Sequence, residues 1–100
     1  MEDRKSLLAE LAVARGDLDR LRVANFKRLI DARTALSIAT IANLPLDTVC
    51  FTDNEDRGVT FAKLSAFIDL LRDEDAHMAE LLEIVDRRMA AAARDVDGIQ

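Results

Sequence analysis

The chain has no tryptophan and no tyrosine, one proline (Pro45), three glycines, one cysteine (Cys50) and one histidine (His77). Each scarcity excludes something. With few aromatics and modest numbers of Val and Ile, little of the chain suits a β-sheet; with almost no Pro or Gly, little interrupts a helix. A lone thiol forms no internal disulfide and points to a reducing compartment. There is no phosphate-binding loop, no Cys/His metal cluster and no Ser-based catalytic motif, so acid–base chemistry would fall on carboxylates that read as a solvated helix face. No apolar run approaches the about 18 residues of a membrane span. The start, Met1-Glu2-Asp3-Arg4-Lys5, lacks the apolar core of a signal peptide. The expectation is a cytoplasmic protein with no cofactor.

What is present is Ala, Leu, Asp, Glu and Arg. Half of the 100 residues are apolar and a third are charged, which suits one folded domain, residues 1–100. Much of the apolar content is Ala, which buries little area, so a core built from one chain would be thin and self-association is expected. The net charge of −5 makes neither nucleic acid nor an anionic membrane the expected partner.

The organising stretch runs from Thr60 to Asp97. Leu64, Leu71, Met78, Val85 and Ala92 recur every seventh residue. Beside them lie Phe67 and Ile68, Leu81 and Leu82, Met89 and Val96. This is one face of a long amphipathic helix, expected over about 59–95. Thr60 is its expected N-cap, with Val59 and Leu64 placed as a hydrophobic staple. A start at Thr52 or Asp53, using Thr52-x-x-Glu55 as a capping box, is the less favoured alternative. Residues 95–100 are expected to fray.

Upstream, residues 2–43 read as one long helix, or two joined at a bend near Gly16. Leu7, Leu8, Leu11, Ala14, Leu18 and Leu21 form a narrow seam close to a coiled-coil stripe. From Val23 on, Phe26, Leu29, Ile30, Leu36, Ile38, Ile41 and Leu44 cover most of the circumference, so more than one neighbour is expected to pack there. The connection is 44–58. Asn43 suits a left-handed C-cap and Pro45 cannot continue the helix. Leu46, Val49 and Cys50, at i, i+3 and i+4, predict one short helical turn, and Cys50 reads as a structural thiol.

Charge orients the helices. Residues 15–33 carry six bases against three acids, and residues 69–86 seven acids against one base. Folding the chain back at about residue 51 sets Arg33 near Asp69, Arg28 near Glu74, Arg22 near Glu80 and Arg15 near Asp86. Such pairs specify register more than they stabilise. Each apolar stripe is interrupted once, by Asn25 and Arg28 on the first helix and by Glu74 and Asp75 on the second. The same register brings the breaks together as a polar layer, with Arg28 facing Glu74.

Two short segments resemble known families. Glu74 and His77, in Arg72-Asp73-Glu74-Asp75-Ala76-His77-Met78, look like the metal-binding Glu-x-x-His helix of ferritin-like di-iron proteins, where i, i+3 spacing puts both side chains on one metal. That resemblance implies a Glu from the facing helix, where the register instead supplies Asn25 and Arg28; an exposed polar turn is the preferred reading. Ile38-Ala39-Thr40-Ile41-Ala42-Asn43-Leu44-Pro45-Leu46-Asp47-Thr48-Val49 looks like the core of a DNA-binding helix-turn-helix. Its would-be recognition helix continues into Asp53, Glu55 and Asp56, carboxylates where phosphates require Lys or Arg; a capped helix end followed by a turn is preferred. Asp53–Gly58 fails the calcium-loop spacing, with Arg57 and Leu64 at ligand positions.

The sequence therefore predicts an all-α antiparallel two-helix hairpin that dimerises into a four-helix bundle and acts as a non-enzymatic protein–protein interaction module: a small adaptor, regulator, chaperone or assembly subunit. Its partners are itself and another protein. The expected interface is Leu7, Leu11, Leu18, Leu21, Leu71, Met78, Leu82 and Val85, with the Leu7–Leu21 seam against the end of the second helix and a dimer mate. The polar layer is Asn25, Arg28, Glu74 and Asp75. The metal alternative rests on Glu74 and His77, and the remaining alternative is a helix-turn-helix DNA-binding regulator.

Overall fold

A computed structural model describes residues 2–97, with side chains from 3 to 95. The chain is mostly helical. Helix α1 (Glu2–Ile41) and helix α2 (Phe61–Asp97) are joined by a link that contains two short strands, β1 (Val49–Thr52) and β2 (Gly58–Thr60). Residues 2–41 form one continuous helix, without a break at Gly16. Val96 of the apolar stripe and residues 97–100 lie outside the described side chains; Asp95, the first of the residues expected to fray, is helical, and α2 runs to Asp97.

The link differs from the expected helical turn. Residues 46 and 47 make a turn, and Val49-Cys50-Phe51-Thr52 is extended. The spacing of Leu46, Val49 and Cys50 permits a helix, but β-branched and aromatic residues fit a half-buried pleated surface better once a partner strand exists. That partner is Gly58-Val59-Thr60, antiparallel, with Val49 opposite Thr60, Phe51 opposite Val59 and Thr52 opposite Gly58. Cys50 is the extra residue of a bulge between the first two pairs. Gly58 is required by close approach, because a Cβ there would sit 2.8 Å from Val49 Cγ1. The architecture is the expected two-helix hairpin, with two short paired strands in the link where a helical turn was expected.

Local chemistry explains each boundary. At the end of α1, Asn43 adopts φ 50°, the Asn43 amide donates to Thr40 O (3.2 Å) and the Leu44 amide to Ala39 O (3.0 Å). This paired pattern is a Schellman cap, and it satisfies carbonyls that the helix leaves free. At the start of α2, Phe61 and Ala62 donate their amides to Thr48 O (2.9 Å) and Leu46 O (3.0 Å). The link's own carbonyls thus meet the first orphan donors behind Thr60.

The fold comprises two compact units, Met1–Val23 with Ala76–Gln100, and Ala24–Asp75. In the second, Leu29 and Ala32 of α1, Val59 of β2, and Leu64, Ile68 and Leu71 of α2 form one buried cluster. Leu64 is fully buried, consistent with a staple beside Val59. The Phe51 and Phe67 rings pack against the cluster, 5.6 Å apart and tilted by 45°. The first unit is thinner. Leu82 and Ala92 are its buried apolar residues among those described. Its helix segments run antiparallel, since Arg4 pairs with Asp95 and Arg15 Nε donates to Asp86 Oδ1 at 2.6 Å.

Candidate interaction surface

In the unit Ala24–Asp75, α1 has two apolar faces. Asn25, Leu29, Ala32 and Ala39 are buried. At 3.6 residues per turn, Phe26, Ile30, Ile38 and Ile41 fall in a roughly 120° sector on the opposite side. All four are exposed: 54%, 47%, 59% and 83%. Charged residues on a helix's solvent side are the ordinary arrangement; here four large apolar side chains share the sector with Lys27, Thr34 and Ser37, an exposed apolar surface of the kind at which proteins dock. That the segment is apolar all round is legible in its residues; which face the chain covers and which it leaves open is not, because apolar residues recur at helical spacing on both.

The buried face contains Asn25, the one buried polar side chain among the described residues, at 1% exposure. An amide so placed is costly unless bonded. Its Nδ2 donates to Leu71 O (3.0 Å), and its Oδ1 accepts from Arg28 Nη2 (3.1 Å). The Arg28 Nε–H is buried with no partner. Arg28 and Glu74 line the same cavity of about 310 Å³, together with Asp53 and Arg57 of the link. No hydrogen bond or ion pair joins Arg28 to Glu74; the guanidinium's bond goes to Asn25. Glu74 is exposed and Asp75 half-buried. Of the four residues of the expected polar layer, the fold thus bonds Asn25 to Arg28 and sets Glu74 beside the same cavity as Arg28.

Asp53 organises the tip of the hairpin. Its Oδ1 accepts from the Glu55 and Arg57 amides (both 2.9 Å), and its Oδ2 from Arg57 Nε (3.0 Å). The Arg57 amide is the largest cause, assisted by the Glu55 amide and the Arg57 side chain, that holds this carboxyl below its ordinary range. The contacts also stabilise Asp56 at φ 60°. Cys50 is half-buried with Sγ 3.9 Å from Val59 O.

In the unit Met1–Val23 with Ala76–Gln100, the expected interface residues spread over a range of burial. Leu82 is buried; Leu11, Leu18, Met78 and Val85 are half-buried; Leu7 and Leu21 are exposed. Leu71, in the other unit, is 3% exposed and belongs to the core. Arg15 has its pKa raised by the hydrogen bond to Asp86 and then by that carboxylate's charge.

Neither special motif assembles a site. Glu74 and His77 are both exposed, and among the described residues no group of three or more His, Cys, Asp or Glu could hold a metal ion. After Asn43 the chain makes a turn and a strand where a recognition helix would lie. No described helix is long and apolar enough to cross a membrane. No protein-family model, curated protein or solved structure matches the chain.

Proposed function

We propose that the protein is a non-enzymatic helical interaction module that acts as a homo-oligomer, with the outer face of α1 at Phe26, Ile30, Ile38 and Ile41 as its contact surface. The observation that carries this reading is the exposure of those four side chains on the side opposite the core. Covering them removes apolar area from water, at roughly 25 cal/mol per Å² before the costs of association. Two copies packed through this face would make the four-helix arrangement predicted from the sequence, with the half-covered Leu7–Leu21 seam available as a further contact.

Sedimentation equilibrium at micromolar concentration tests the reading. The wild-type chain sediments as a dimer or larger, and Ile30→Lys with Ile38→Lys shifts it to monomer while preserving the helical circular-dichroism spectrum. A compact wild-type monomer with a cooperative melt would overturn it.

A further inference from the structure

Within the unit Ala24–Asp75, α1 and α2 border a groove of about 350 Å³. Its floor is Leu36, half-buried, and Ile68, 3% exposed. Its rim carries the Arg33 and Arg72 guanidiniums and the Ser37 and Ser65 hydroxyls. Arg33 makes no ion pair or side-chain hydrogen bond among the described residues. Arg72 has only Asp69, also on the rim, at 3.7 Å, with both side chains more than half exposed. Two guanidiniums on one small groove, with a single lining carboxylate held loosely by Arg72, leave a local excess of positive charge on a chain that is acidic as a whole.

We propose that this groove binds an organic anion with a short aliphatic body, of the medium-chain carboxylate class. The carboxylate lies between Arg33 and Arg72, accepting paired N–H bonds from the planar guanidiniums. Ser37 and Ser65 have rotatable O–H groups that donate to the remaining lone pairs. The aliphatic chain lies on Leu36 and Ile68. The dimensions match: ligand sites begin near 300 Å³, with apolar floors and a few convergent polar groups. The Asp69–Arg72 contact is the weak, solvent-exposed kind that a better-placed carboxylate displaces.

The test is a titration of the full ¹⁵N-labelled chain followed by amide shifts. Octanoate is the probe, octylammonium carries the same tail with the opposite charge, and inorganic phosphate is an anion without a tail. The expected result is saturable shifts at Ser37, Ser65 and Ile68 with octanoate, weakened at least ~tenfold in the double variant Arg33→Gln, Arg72→Gln, as loss of two charge-assisted partners requires. Both substituted positions are exposed, and Arg33→Gln alone gives a second, milder variant. Ile41 borders both the groove and the proposed contact face, so the monomeric Ile30→Lys, Ile38→Lys chain, whose substituted positions lie outside the groove, is titrated as well; binding persists there, which separates groove binding from self-association. Non-saturable shifts, equal binding of octylammonium, phosphate binding as tight as octanoate, or unchanged binding in the double variant would each overturn the assignment.

Discussion

The two units are built from the same two helices and differ in what those helices have to pack against. In Ala24–Asp75 the hairpin adds Val59 and Phe51 to the helix–helix contact, and the product is a core around a fully buried Leu64. In Met1–Val23 with Ala76–Gln100 there is no third element among the described residues. Leu82 is buried there, its other leucines remain half-buried or exposed, and the cross-helix links include the surface ion pairs Arg4–Asp95 and Arg15–Asp86. The lesson is that an apolar stripe on each of two helices yields a seam, and a third surface is needed to close it. Local stability is expected to follow the same division, with hydrogen-exchange protection highest around Leu64 and lowest along Leu7–Leu21.

The comparison breaks most directly at the core. Leu64→Ala empties a fully buried site and should cost about 2–5 kcal/mol, whereas Leu18→Ala, at a half-buried position, should cost well under that. Urea unfolding of both variants checks the order. Equal losses would mean that Leu18 is covered in solution by a second copy. Leu18→Asp sharpens this point, because a charge in a covered seam both destabilises the fold and dissociates the oligomer.

A smaller effect is expected at the buried polar pair. Asn25→Ala leaves Leu71 O without its side-chain donor and strands the Arg28 Nη2 donor, for a loss of about 1–3 kcal/mol. A double-mutant cycle on Arg28→Leu and Glu74→Leu measures whether the cavity they share couples them. Coupling above about 1 kcal/mol would mean that Glu74 turns in to meet the orphaned Nε–H in solution; additive effects would leave Asn25 as the partner that fixes Arg28.

The hairpin tip should respond to acid. Because the Asp53 pKa is lowered on folding, its contribution is present above the unfolded-state value and is lost as pH falls through the folded one. Protection of the Glu55 and Arg57 amides, relative to their intrinsic exchange rates, should therefore fall below the ordinary aspartate range, ahead of protection in the Leu64 core, and Asp53→Asn should abolish that pH-dependent loss. The smallest effect belongs to the other unit. Arg15→Gln removes an exposed pair with Asp86, and the melting temperature should move little and lose what difference there is in high salt.

Much of the fold was legible because it rests on local rules. The seven-residue stripe from Leu64, the breaks at Asn43 and Pro45, and the start after Thr60 are consequences of helix period and cap chemistry, which need no distant partner. Charge matching carried the antiparallel register far enough to place Arg15 beside Asp86. The hairpin was not legible in this way. Val49–Thr52 is helix-compatible alone and becomes a strand because Gly58–Thr60 pairs with it and because Gly58 lets the strands approach. Which side of α1 is core was equally undecided, since Phe26, Leu29, Ile30 and Leu36 are all apolar. Only tertiary structure chose Leu29 and Asn25 for the inside and left Phe26 and Ile30 in water, because burial depends on where the neighbouring element lies, and a sequence period specifies faces without saying which of them a neighbour will cover.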